Sequence, residues 1–402
     1  MSEKAASSIT LRELNDGPPS QAQVSTYAPA QASRPSSPAH APYRDVYPVS
    51  RAAARPPDLP GMRDIPRSRG SEDAGSESGR VAPTSSTSFL ALRESVQDLR
   101  AFVFPGQGAQ VVGMGKDLYD EFPAARELFD RADEILGVPL SRICFQGPED
   151  ELQETQNTQP AIAVTSLALL RVASDLNPDL LERPAFVAGH SLGEYPALVA
   201  AGALSFDDAI LLLRMRGELM AAAGKARPGT MAAVIGLDVS ECEDVCRESG
   251  AEICTINAPG QIVIGGSRES VVRALDYAQA RGAKKVIPLN VSGAFHSSLM
   301  SSAAEGMVNP VATTTFNELS VPVVGNCTAT AINDITDVRN ELVDQVHRPV
   351  QWARTVEFLG EQGVGTFIEF GPGRVLSGII KRMLRGSTCI TVNSAESVRV
   401  EL

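Results

Sequence analysis

Aromatic residues are scarce in this 402-residue chain: they make up 5% of it, with one tryptophan, and there are only four histidines and six cysteines. Each shortage excludes something. The cysteines, at Cys144, Cys242, Cys246, Cys254, Cys327 and Cys389, have neither the spacing of a disulfide framework nor that of a zinc site. Cys242 and Cys246 lie four apart on an expected helix, but no histidine pair accompanies them. The thiols read as buried or half-buried in a reducing compartment. No run of eighteen apolar residues exists, so no membrane span is expected. The N-terminus lacks the apolar stretch of a secretory signal, and a cytoplasmic location is expected. Basic residues are outnumbered, 36 against 48 acidic, for a net charge of −12. That balance argues against a general nucleic-acid binder, which needs basic surface for phosphates.

The 43% of hydrophobic residues is enough for a large core. They are unevenly placed. Twelve of the 27 prolines fall before residue 84, among Ser, Ala and Arg, with no apolar period. Residues 1–97 are therefore expected to be a disordered tail, unable to bury enough surface to offset its ordering entropy. Ser and Arg enrichment there would suit an organelle-targeting peptide, but Glu3, Glu13 and Asp16 count against it. Through Arg100 the charges nearly cancel, 12 basic against 11 acidic, leaving about −13 on residues 101–402, 24 basic against 37 acidic.

From Ala101-Phe102-Val103-Phe104, a buried strand, the chain alternates strands with helices, which implies a largely parallel sheet. Helices are expected at Tyr119–Leu136, Ala161–Asp175 and Ser205–Ala223, and a strand at Ala185–Ala188. Residues 229–290 read as βαββαβ, an inserted ferredoxin-like subdomain. A large α/β-hydrolase-like domain with a mainly parallel sheet is then expected over 98–228 and 291–395. In the later part, strands are expected at Val321–Asn326 and Thr366–Phe370, and helices at Val350–Gln362 and Arg374–Leu384.

The strongest chemical signal is Gly189-His190-Ser191-Leu192-Gly193. An apolar strand precedes it and a helical pattern follows, the strand–turn–helix context of a nucleophile elbow. Glycines flank the turn where side chains would collide with neighbouring elements. Ser191 would stand at a helix N-terminus, where N–H groups can stabilise an oxyanion. The bland alternative is a glycine-rich turn with an incidental serine. The loop Pro105-Gly106-Gln107-Gly108 resembles a phosphate cradle but lacks the Lys-Ser/Thr of a P-loop.

A serine nucleophile needs a base. His40 lies in the tail, and the side chain of His190 should leave the turn in another direction from its neighbour Ser191. His296, in a small-residue loop, is preferred over His347, which sits in a polar helix-end segment. No acid with a distinctive context follows His296. Arg216 lies in the apolar helix and needs a partner, because an unpaired buried charge is costly. The partner is either a carboxylate ligand or an acid near Glu218.

Several motifs occur together and in order: F-P-G-Q-G-A-Q (104–110), T-Q-P-A-I (158–162), G-H-S-L-G-E-Y (189–195), R-G-E-L-M (216–220), N-A-P-G-Q (257–261), A-F-H (294–296) and P-V-Q-W (349–352). Over about residues 100–395 the chain resembles the malonyl-CoA:acyl carrier protein transacylase family, including polyketide acyltransferase domains. The resemblance implies malonyl-CoA and phosphopantetheinylated acyl carrier protein as substrates, with no metal and no bound cofactor. It implies Ser191 as nucleophile, His296 as base and acid, and Gln107 with the Leu192 N–H as oxyanion hole. Arg216 would pair with the malonyl carboxylate, and the Gln351 carbonyl would orient the histidine. Met220 and Asn257 would line the pocket, with His190 in a secondary role. Phe295 before the histidine is associated with malonyl over bulkier donors. Pro196 departs from the family pattern, but a proline near a first helical turn costs little. A monomer is expected. A serine thioesterase or esterase would share Ser191 without needing Arg216, and a non-catalytic carrier-protein docking module would need neither.

Overall fold

The computed structural model describes residues 99–178 and 184–401, so the expected tail over 1–97 lies outside the described residues. Among these there are ten strands: β1 (Leu99–Phe104), β2 (Phe186–Gly189), β3 (Thr230–Ile235), β4 (Glu252–Ala258), β5 (Gln261–Gly266), β6 (Lys285–Leu289), β7 (Val323–Val324), β8 (Ala331–Ile332), β9 (Val364–Phe370) and β10 (Thr388–Val392). They form two sheets, with orders β10-β9-β1-β2-β7-β8 and β4-β5-β3-β6.

The first sheet is parallel from β10 to β7, and only β8 runs against its neighbour. β1 is apolar at every position from 101 to 104 rather than at alternate ones, the mark of a strand covered on both faces. One face carries Trp352, Val356, Phe367 and Ile380 in a single cluster. Phe370 packs edge-on to Phe102, with ring centroids 5.2 Å apart. The helix Thr155–Leu176 is buried along most of its length. It packs on the helix Phe206–Ala226, where a Cβ on Gly217 would lie 2.5 Å from Gln156 Cα, so only glycine permits that approach.

The second sheet is antiparallel throughout and carries the helices Val239–Ser249 and Arg268–Ala280. Its core is Val234, Cys242, Val245, Ile262 and Ile264 with their neighbours. A capping box at Asp238 and Glu241 starts the first of these helices, and the Ser267 hydroxyl caps the second. The sheet is stitched to the rest of the chain at β4: Ile256 N–H donates to the Val350 carbonyl, and Val350 N–H donates to Cys254. All six cysteines are free, four of them buried and two half-buried. No helix among the described residues is long and apolar enough to cross a membrane.

Several expected boundaries are corrected. The single helix Tyr119–Leu136 is two, Lys116–Glu121 and Pro123–Leu136, because Phe122 before the proline is extended. The helix expected from Ala161 starts at Thr155, so Pro160 lies inside it. Proline cannot donate to the Gln156 carbonyl one turn back, and Arg214 donates to that oxygen instead, at 3.3 Å. The strand Val321–Asn326 shrinks to the two residues of β7, because the chain turns away after it through Ala329 at φ 52°. β8, β10 and the helices Ile335–Asp344 and Ala395–Val400 were not expected at all. Pro196 is the third residue of the short helix Glu194–Ala200, where a missing N–H leaves no helical bond unmade.

Candidate active site

The turn after β2 is as tight as its glycines suggest. A Cβ on Gly189 would fall 1.9 Å from the Gly193 backbone, and one on Gly193 would fall 2.3 Å from the Phe104 carbonyl. Ser191 occupies the left-handed region at φ 54°, a strained position for a residue with a side chain. Asn326 clamps the turn from the β7–β8 connection: its Oδ1 accepts from Ser191 N–H at 2.8 Å, and its Nδ2 donates to the Gly189 carbonyl at 2.9 Å.

His296 also has a positive φ, 59°. Its Nε2 lies 2.8 Å from Ser191 Oγ. Its Nδ1 lies 2.5 Å from the Gln345 carbonyl, which can only accept, so Nδ1 carries the proton and Nε2 presents its lone pair to the serine. The sequence reading assigned this carbonyl to Gln351. That residue instead donates its N–H to the Asn326 carbonyl at 2.8 Å, and its own carbonyl accepts Thr355 N–H at the start of the next helix. Gln351 therefore supports the elbow clamp rather than the histidine. A backbone carbonyl does the orienting that a triad acid would do.

Arg216 is 1% exposed. Its Nη1 donates to Gln159 Oε1 at 2.6 Å, and its Nη2 donates to Gln345 Oε1 at 2.6 Å and to Ser191 Oγ at 3.0 Å. All three acceptors are neutral, and Nε is buried without a partner. The acid near Glu218 considered from sequence pairs with Arg214 instead, at 2.6 Å. Because Arg216 donates to Ser191 Oγ, the hydroxyl proton is left to point at His296.

Burial, then the Arg216 charge and then His190, push the His296 pKa down to about 3. The imidazole is therefore neutral and ready to accept a proton across the working range. Folding favours the neutral form, so this contribution to stability is complete above the ordinary value of about 6.5 and is lost as pH falls toward 3. Acylation of Ser191 should show no loss between about pH 8 and about pH 5. A limb centred near 6.5 in stopped-flow acylation would contradict a buried, neutral base.

The other expected residues are spread around this centre. His190 turns away from Ser191, with Nε2 2.8 Å from Asn257 Oδ1, and burial lowers its pKa. Gln107 is held by its carbonyl end, which accepts from Thr155 Oγ1 at 2.9 Å. Thr155 in turn accepts from Gln159 Nε2 at 2.9 Å, and the same amide nitrogen lies 3.5 Å from Met220 Sδ. Leu192 sits in the 3-10 turn Ser191–Gly193. A cavity of about 150 Å³ opens between the Gln107 loop, His190, Asn257, Gln261 and the residues Val375 and Ile379.

Sequence reasoning missed Asn326, Gln345 and the roles of Glu194 and Gln159. Glu194 and Gln159 lie inside quoted motifs, but nothing local in the sequence says what they touch. Gln345 and Asn326 lie in no recognisable pattern.

Known proteins resemble the chain over the same residues. The Acyl transferase domain family matches residues 101–399. A malonyl CoA-acyl carrier protein transacylase of Bacillus subtilis (strain 168) is 44% identical over 309 residues, covering 75% of this chain and 96% of the relative. The crystal structure of an acyl-carrier-protein-S-malonyltransferase from Bartonella henselae superposes with a TM-score of 0.72 at 41% identity, covering 75% of this chain and 97% of that one. A malonyl-transacylase solved in complex with its holo type II PKS acyl-carrier protein gives 0.72 at 40% identity, covering 76% and 99%. Sequence, fold and the pairing of elbow serine with buried histidine lead to one assignment: the chain is an acyltransferase and belongs to the malonyl-CoA:acyl carrier protein transacylase family.

Proposed function

We propose that the protein moves a malonyl group from malonyl-CoA to the phosphopantetheine thiol of acyl carrier protein through a Ser191 ester. The carrying observation is Arg216: a buried cation with only neutral acceptors, 3.0 Å from the hydroxyl that would be acylated. In a malonyl ester one methylene separates the reacting carbonyl from the carboxylate, so the anion can reach a guanidinium this close. Arg binds such a group with two parallel N–H donors, which offsets its desolvation.

In the first half-reaction the Ser191 proton passes to His296 Nε2 as Oγ attacks the thioester carbonyl. The Leu192 N–H and Gln107 receive the developing oxyanion. Collapse breaks the C–S bond, and the imidazolium returns its proton to the departing CoA thiolate. The second half-reaction reverses the roles: His296 takes the carrier thiol proton, sulfur attacks the ester, and Ser191 leaves reprotonated. Asn257, His190 and Met220 line the approach, and Phe295 restricts bulkier donors. The antiparallel order β4-β5-β3-β6 with its two helices fits a ferredoxin-like subdomain over 229–290, inserted in an α/β-hydrolase-like domain over 98–228 and 291–395. The relative solved with its carrier protein supports that acceptor.

The test is intact-protein mass spectrometry. Malonyl-CoA alone should add one malonyl group to the protein, and holo acyl carrier protein should then remove it and carry it. An adduct lost to water as fast as to carrier protein would favour the thioesterase reading.

A further inference from the structure

The amide of Gln345 has an orientation that matters. Its Oε1 faces the Arg216 Nη2 donor at 2.6 Å, and its Nε2 faces two acceptors, the Ser191 carbonyl at 3.2 Å and Glu194 Oε2 at 3.0 Å. A flipped amide would set NH₂ against the guanidinium and oxygen against oxygen. Glu194 is itself fixed: it is 1% exposed, and its Oε1 accepts Asn326 N–H at 3.3 Å. Asn326 in turn clamps the elbow.

We propose that Glu194 is a positioning residue for acyl-group specificity: it holds the Gln345 amide so that its oxygen faces Arg216, and so sets the guanidinium that receives the acyl carboxylate. Gln345 then serves the site twice, with its side chain on Arg216 and its backbone carbonyl on His296. Only the side-chain branch depends on Glu194. The role needs an acceptor at Oε2, which the carboxyl offers with or without its proton. Burial and the neighbouring Glu341 both favour the protonated form. The inference rests on Arg216 as carboxylate anchor.

The two branches make the proposal separable from a merely structural role. Glu194→Leu keeps the volume and removes the acceptor. It should lower the malonyl-to-acetyl ratio of kcat/KM by about tenfold or more, through KM for malonyl-CoA, with the acetyl-CoA value little changed. Glu194→Gln can keep a carbonyl toward Gln345 and gives up only the 3.3 Å bond, so it should restore most of the ratio. Gln345→Leu should reproduce the loss, and the Glu194→Leu/Gln345→Leu pair should lower the ratio no further, because Glu194 reaches Arg216 only through the Gln345 amide. If Glu194→Leu does not fold, Glu194→Asp, one methylene short, reads the same ratio. Equal losses for both donors, or additive losses in the double variant, would overturn the proposal. Arg216→Ala run alongside separates the two levels: if it collapses the ratio while the Glu194 variants do not, this inference fails and the anchor stands. If Arg216→Ala leaves the ratio unchanged, the anchor itself fails.

Discussion

Ser191→Ala should yield no acyl-enzyme with malonyl-CoA, and transfer to acyl carrier protein should fall by about 10⁴-fold or more, the scale seen when a covalent nucleophile is removed. The change deletes one oxygen and leaves the surrounding frame. Asn326 holds the backbone of residue 191, not its side chain, and the glycine contacts that set the turn are backbone contacts. The variant should therefore fold and still bind malonyl-CoA, since Arg216 keeps its bonds to Gln159 and Gln345. Intact mass and calorimetry with a slowly hydrolysed donor would check both halves. A malonyl adduct on the alanine variant would place the nucleophile elsewhere. Loss of binding as well would show that the hydroxyl is needed to hold Arg216 in place.

Arg216→Ala should reduce kcat/KM for malonyl-CoA on the order of 10²- to 10³-fold, about 3–4 kcal/mol, the usual cost of removing one partner of a buried charge pair. The acetyl-CoA value should fall far less, or rise. A neutral acyl group gives the guanidinium no anion, and the protein itself offers that cation three neutral acceptors and leaves Nε unpartnered. Arg216→Lys should recover little, because a point charge cannot present two aligned donors and cannot span Gln159 and Gln345 at once. The measurement is the malonyl-to-acetyl ratio in wild type and both variants. An unchanged ratio in a folded protein would make Arg216 a structural cation.

The sequence makes the elbow turn and the serine–histidine pairing legible and the scaffolding around them much less so. Ser191 could be read because strand, glycines and helix follow one another locally, and the histidine could be narrowed because there are so few. The βαββαβ unit was legible because each helix begins at a capping residue, Asp238 or Ser267, and each strand is short and apolar. Gln345 was not, because its function is to put a carbonyl and an amide beside residues 49 and 129 positions away, and any residue has a carbonyl. The family resemblance placed that carbonyl at Gln351, in the neighbouring P-V-Q-W motif. The two-residue β7 and β8 carry too few residues to show a period, and β10 runs from exposed through half-buried to buried without alternating.

Ser191 and His296 both sit at positive φ, 54° and 59°. Left-handed backbone costs a residue with a Cβ about 1 kcal/mol or more, and glycine much less. At Ser191, a small side chain, heat resistance and turnover pull in opposite directions. A library of variants ranked only by melting temperature would drift toward glycine at 191, where little volume is lost, and its hardiest members would be inert; at 296 the buried, doubly bonded imidazole outweighs the strain. Any effort to toughen this enzyme has to select for activity at the same time, or find its gains on the far side of the sheet.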